Sequence, residues 1–139
     1  MNLIQIDTAG LLYISPAIAD WQPVVDAGIE TVIDLEGAVD LGVPSRPNEM
    51  LYVYFPIFDE GLPDLERLSA LADLGAGLVR NGRRVLAHCG MGFNRSALMA
   101  GLILHRLGTP GPQAVAQIRR QRPGALFNTV FAEYLETLR

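Results

Sequence analysis

The chain holds a single cysteine among its 139 residues. That excludes an internal disulfide framework and leaves no second thiol in the chain to rescue an oxidised first one. It holds only two histidines, with no partner His or Cys at metal-ligand spacing, so no metal and no cofactor is expected. The longest apolar run, Ala97 to Leu104, is far shorter than the ~20 residues a bilayer span needs. The first residues lack the basic start of a signal peptide, so a cytoplasmic location without a membrane partner is expected. Internal repeats and low-complexity segments are absent. Positive charge is scarce: 11 Lys and Arg stand against 15 Asp and Glu, a formal charge of −4. That balance argues against general binding to nucleic acid or to an anionic membrane. What the chain does have is apolar residues, 50% of the total, enough for one domain over residues 1–139 with a sizeable core.

The lone thiol lies in His88-Cys89-Gly90-Met91-Gly92-Phe93-Asn94-Arg95-Ser96. Before it, Arg83 to His88 reads as a short strand; after it, Ser96 to Leu107 reads as a helix with almost no polar face, hence buried. Cys89 is thus expected at a strand-to-helix turn, facing the positive end of a helix. A helix N-terminus and a nearby cation favour the thiolate. Glycines at 90 and 92 let the backbone curl, so that the N–H groups of residues 90–95 point inward and cradle a phosphate. Arg95 supplies a planar fork for two phosphoryl oxygens, which lysine would not. Ser96 is placed to donate to the Cys89 sulfur. His88 is expected to orient the loop through ring N–H bonds to backbone carbonyls and to help set the thiol pKa. The plain alternative is an inert buried thiol.

Around this loop the chain alternates strand and helix. Gly10 to Ser15 reads as a strand, and Ser15-Pro16 as a helix start. A short helical stretch runs from Trp21 to Ala27 and stops at Gly28. Ile29 to Leu35 is a strand, and Gly37 to Glu49 a surface loop. Leu51 to Phe55 is a strand, and Leu65 to Arg80 a helix ended by Asn81-Gly82. Helices follow at Gln113 to Gln121 and Thr129 to Leu138, the last with Asn128 as N-cap in its simplest role and a bond to the phosphate loop as its alternative. His105 reads as a surface or capping residue. Arg119, Arg120 and Arg122 read as a solvated basic face in preference to a support for the phosphate loop. Asp34 and Glu36 read as loop and surface carboxylates. The pattern predicts an α/β fold, a mostly parallel central sheet flanked by helices, with the site at the C-terminal end of the central strand.

The set His88-Cys89-x-x-Gly92-x-x-Arg95-Ser96 resembles the signature of the cysteine-dependent protein phosphatases, and the length and layout resemble their dual-specificity subgroup from about Leu11 to the C-terminus. The resemblance implies the same fold. It also implies a phosphocysteine formed on Cys89, a phosphoryl group held by Arg95, and an aspartate on a separate loop as general acid. Pro56-Ile57-Phe58-Asp59, following a strand, resembles the acid loop of that subgroup, which makes Asp59 the expected acid. Asp64 is the rival, although a carboxylate just before a helix has a structural use there; Glu60 comes third. The implied activity is hydrolysis of phosphotyrosine and phosphoserine or phosphothreonine in a phosphorylated protein or peptide, by a monomer. The dual specificity follows from a chain with little room for the loops that deepen a tyrosine-specific pocket. Two alternatives stay open: a phosphatase of a non-protein monoester (phosphoinositide, nucleotide or RNA 5′-phosphate, phosphosugar), and a fold that binds phosphate without cleaving it. A sulfurtransferase is more remote. The neutral residues between Cys89 and Arg95 weigh against a polyanionic substrate.

Overall fold

The computed structural model describes residues 2–139. In chain order the elements are β1 (Ile4–Gln5), β2 (Leu12–Ser15), α1 (Gln22–Asp26), β3 (Thr31–Asp34), β4 (Leu51–Tyr54), α2 (Leu65–Arg80), β5 (Val85–His88), α3 (Arg95–Arg106), α4 (Gly111–Gln121) and α5 (Thr129–Glu136). The strands form one sheet in the order β1-β2-β5-β3-β4. β2, β5, β3 and β4 run parallel, and β1 pairs antiparallel with β2 at the edge. The sheet is therefore mostly parallel and flanked by helices.

β5 lies in the middle, and all four of its residues are buried. A strand covered on both faces reads as a continuous apolar run, and Val85-Leu86-Ala87 is one. Alternate residues then sort to two faces. Ile33, Val85 and Ala87 pack in the larger core with residues of α2, α3, α4 and α5. Val32 and Leu86 pack in a smaller core with Ile18, Trp21, Val24 and Ile29, beside α1. α3 is buried from Ser96 to Leu104, as its lack of a polar face predicts. α2 is amphipathic; Leu68, Ala72, Ala76 and Val79 recur at helical spacing and face the core.

Three readings of the local sequence need correction. Ser15-Pro16 does not start a helix: Ser15 is the last residue of β2, and its hydroxyl donates to the Pro16 carbonyl at 2.9 Å. The helix waits until Gln22. Ile4–Gln5 forms a strand that the sequence pattern does not announce, because the Asp7 carboxylate accepts from the backbone N–H groups of Leu11 and Leu12 and turns the chain back on itself. The 37–49 segment is a loop, but it is not only surface: the Leu41 carbonyl accepts from the Trp21 indole N–H at 3.0 Å, which lays the segment over the smaller core. Among the described residues, no helix is long and apolar enough to cross a membrane.

Candidate active site

Cys89 follows β5 directly and is 2% exposed. Its backbone N–H donates to the Ser15 carbonyl at 3.3 Å, and the Ala17 N–H donates to the Gly90 carbonyl at 3.1 Å. The end of β2 thus pins the first half of the loop. Gly92 makes the next turn with φ +74°, a left-handed value that costs a residue with a Cβ. The loop then enters α3. Cys89 Sγ lies 3.4 Å from Ser96 Oγ. The thiol can donate across this gap; once ionised, the sulfur can accept from the same hydroxyl.

Two sets of donors at this loop are left unused. Asn94 is the N-cap of α3, yet its side chain makes no cap bond. By contrast Asp64 caps α2 by accepting from Arg67 N–H, and Asn128 caps α5 by accepting from Val130 and Phe131 N–H. The first turn of α3 therefore keeps its positive end open toward Cys89. Arg95 is the second case. Its Nη1 donates to the Ile57 carbonyl at 3.4 Å and lies 3.6 Å from Glu36 Oε1, whereas its buried Nε has no partner in the protein. A buried guanidinium N–H without an acceptor is costly, and an oxyanion beside Cys89 would supply one.

Glu36 is thus a half-buried partner of Arg95 and not a surface carboxylate. A Cβ on Gly90 would run into its Oε2, so the carboxylate reaches over the loop. Asp34 is not a surface group either. It is fully buried because Asp34 and His88 pair in register on adjacent strands, on the smaller-core side. His88 Nε2 lies 2.6 Å from Asp40 Oδ2 and 3.3 Å from Asp34 Oδ1, and the Tyr52 hydroxyl donates to Asp34 Oδ2. The His88 ring therefore reaches carboxylates and not the backbone carbonyls expected of it; its Nδ1 has no partner. Burial pushes the Asp40 carboxyl above its usual range, against the pull of His88, with the Asp34 charge adding to the rise. The Tyr52 phenol is also pushed up, first by burial and then by its bond to Asp34. Among the described residues, Asp34, Asp40 and His88 are the one His/Cys/acid cluster whose ligand atoms all lie within 4.8 Å of one another. His88 and Asp40 share a 2.6 Å hydrogen bond, and Asp34 and Tyr52 extend it into a buried network.

Asp59 and Asp64 part company. Asp64 is spent on α2: its Oδ1 accepts from Arg67 N–H at 3.2 Å and its Oδ2 from Arg67 Nε at 2.9 Å. The Arg67 backbone N–H holds its carboxyl below the usual range. Asp59 lies on the exposed segment after β4 and meets the loop: Asn94 Nδ2 donates to its Oδ2 at 2.9 Å and Asn128 Nδ2 to its Oδ1 at 2.8 Å. With Gly37, Pro56, Ile57, Phe58 and Arg95 it lines a recess of about 390 Å³. Glu60 is exposed, and its carbonyl accepts from Asn128 Nδ2.

Arg122 is not part of a solvated face. Its Nη2 donates to the Met91 carbonyl at 3.1 Å and its Nε to the Gly92 carbonyl at 3.4 Å, with the guanidinium 4.0 Å from the centroid of Phe93. Arg119 donates to the carbonyls of Ala125 and Leu126, and Leu126 N–H donates to Phe93 O at 2.8 Å. The Pro123-Gly124 turn after α4 brings this strap under the loop. Holding the carbonyls outward leaves the amides of the same peptides facing in. Around the mouth, Phe58, Met91 and Phe127 are 81%, 69% and 67% exposed, an apolar rim.

No protein-family model and no curated protein sequence matches the chain. Solved structures do. A variant of human DUSP28 superposes with a TM-score of 0.81 at 23% identity, over 99% of this chain and 95% of that one. A mouse putative dual specificity phosphatase, solved with zinc tungstate, gives 0.76 at 25% identity, over 97% and 86%. PTPMT1, solved in complex with PI(5)P, gives 0.79 at 17% identity, over 97% and 92%.

Proposed function

We propose that this chain, a member of the dual-specificity phosphatase subgroup and thereby a cysteine-dependent phosphoric monoester hydrolase, cleaves phosphotyrosine and phosphoserine or phosphothreonine in proteins through a phosphocysteine. The observation that carries this reading is the convergence of unused donors on one buried thiol: the uncapped start of α3 and the partnerless Arg95 Nε. Together they fit a dianionic phosphoryl group.

The chemistry follows from these positions. The Cys89 sulfur attacks phosphorus in line with the leaving oxygen; an S–P bond forms and the P–O ester bond breaks. Arg95 and the loop amides hold the equatorial oxygens, which carry the spread charge of the transition state. Asp59 gives its proton to the departing oxygen. Water then attacks phosphorus with Asp59 as base, the S–P bond breaks, and the thiolate leaves with the Ser96 hydroxyl as its donor. Glu36 holds one edge of Arg95 and leaves the Nε edge for substrate.

The rim supports a substrate with one phosphate. The residues between Cys89 and Arg95 carry no charge, and the Arg122 fork is spent on backbone carbonyls. A polyanion would find little to bind beyond the single phosphate cup. A panel of phosphopeptides, an aryl phosphate, inositol phosphates and a 5′-phosphorylated RNA tests this. Turnover of the peptides and of the aryl phosphate, abolished in Cys89→Ser, is expected. Turnover confined to inositol phosphates or RNA would reject the protein substrate, and activity in Cys89→Ser would reject the nucleophile.

A further inference from the structure

Asn94 has the side chain best suited to cap α3, yet it is turned elsewhere. It is 2% exposed. Its Oδ1 accepts from the Asn128 backbone N–H at 2.9 Å while its Nδ2 donates to Asp59 Oδ2. Asn128, from the start of α5, caps that helix with its Oδ1 and donates its Nδ2 to Asp59 Oδ1. Two amides from separate elements thus each take one oxygen of a single carboxylate on an exposed segment. We infer that Asn94 and Asn128 are positioning residues that hold Asp59 over the phosphate loop before substrate arrives, so that the acid segment of this enzyme is closed at rest.

The chemistry calls for amides at both places. Position 94 must accept an N–H on one side and donate to a carboxylate on the other; the carboxamide does this from two separate atoms, Oδ1 and Nδ2, whereas a hydroxyl would have to do both from one oxygen. Aspartate there would keep the acceptor and lose the donor. Each Asp59 oxygen has a second lone pair, so the bracket leaves room for the proton that the carboxyl must deliver. An exposed carboxylate held in one rotamer has already lost the freedom it would otherwise give up at each encounter. The bracket also explains why α3 is uncapped: one asparagine serves the acid and leaves the helix end to the phosphate.

The inference rests on Asp59 being the acid, and a leaving-group series separates the two claims. Single-turnover rates are measured on aryl phosphates from poor to good leaving groups, for the unaltered protein, Asp59→Asn, Asn128→Ser, Asn94→Asp and the double variant Asp59→Asn/Asn128→Ser. Asp59→Asn should lose roughly 10²-fold or more on the poorest leaving group and little on the best, since a strong leaving group needs no proton. Serine caps a helix about as well as asparagine but cannot reach Asp59, so α5 survives in Asn128→Ser. That variant should lose about tenfold on the poorest leaving group and less than about threefold on the best. It should add nothing to Asp59→Asn, and inhibition by inorganic phosphate should be unchanged. Asn94→Asp should show the same selectivity more strongly. If Asn128→Ser lowers every substrate alike, leaves every rate unchanged, or multiplies the loss of Asp59→Asn, the bracket is overturned while the acid stands. If Asp59→Asn itself is flat across the series, the acid assignment falls and the bracket with it. Should Asn94→Asp fail to fold, Asn128→Ser decides alone.

Discussion

Replacing Gly92 by alanine tests the loop geometry more severely than removing any functional group. Gly92 holds φ +74°, and a Cβ built there would lie 2.8 Å from Pro16 N and 3.0 Å from the Ser15 carbonyl carbon. Both neighbours are backbone at the end of β2, the same segment whose carbonyl holds Cys89 N–H. Neither can swing aside as a side chain would. The left-handed conformation costs an L-residue about 1–2 kcal/mol, and forcing a methyl into a packed site about 1–3 kcal/mol more. A total of about 2–5 kcal/mol is a large part of the ~5–15 kcal/mol that holds a domain of this kind together. At about 3–4 °C per kcal/mol for a chain of this size, the melting temperature should fall by roughly 6–20 °C. The loop can relieve the clash only by moving away from β2, which shifts the amides against Cys89. A displacement on the order of 1 Å should cost about 10²-fold in kcat/KM. Gly77 is the control: it lies within α2, and a Cβ there meets nothing within 4 Å. Gly77→Ala should gain about 0.5–1 kcal/mol from helix propensity with activity unchanged. Calorimetry and aryl phosphate kinetics on the two variants suffice. A Gly92→Ala protein as stable and as active as the parent would refute the steric reasoning and the loop geometry with it.

Other substitutions separate neighbouring roles. Asp64→Ala removes the cap of α2 and should lower the melting temperature while leaving turnover and its leaving-group dependence intact; a collapse of turnover would return the acid role to Asp64. Its carboxyl is held below the usual range, so that loss of stability should be full above about pH 4 and fade as the pH falls and the parent's carboxylate is protonated. Asp40 runs the other way. Its carboxyl is raised, so the folded state disfavours the charged form, and its share of stability is lost as pH rises through the folded value. Asp40→Asn, which still accepts from His88, should melt higher than the parent at pH 7 and lose that advantage below about pH 4; a lower melting point at pH 7 would show that the pairing with His88 outweighs burial. Arg122→Lys keeps a cation over Phe93 but gives up the fork to the Met91 and Gly92 carbonyls. Inhibition by inorganic phosphate should weaken roughly threefold to tenfold, about one hydrogen bond's net worth, and an unchanged inhibition constant would mean that the strap does not shape the cup.

The division between what the sequence disclosed and what it hid follows from distance along the chain. The strand, the glycines, Cys89, Arg95 and the uninterrupted apolar helix lie within one stretch, so local rules find them. Asp34 was hidden because a strand-end acid looks like a loop residue until strand order is known. Only the pairing of β3 with β5 and β4 sets it beside His88 and Tyr52. Arg122 was hidden because helical periodicity ends at Gln121, and nothing in the local pattern says that the following turn bends back under the loop. Asn94 and Asn128 each had a sufficient local reading, as loop residue and N-cap, which masked the contacts that both make with Asp59. Asp64, conversely, showed its structural use plainly, because a helix N-cap is a local device.

The central claim is that Cys89 takes the phosphoryl group. The most direct test is to mix the Asp59→Asn variant, whose second step should be slow for want of a base, with a good-leaving aryl phosphate, quench within one turnover, and map the phosphoryl label by mass spectrometry. Phenol should be released in a burst matching the enzyme concentration, with the phosphoryl group on the sulfur of Cys89 and absent in Cys89→Ser. Phenol and inorganic phosphate released together, with no label on Cys89, would contradict it.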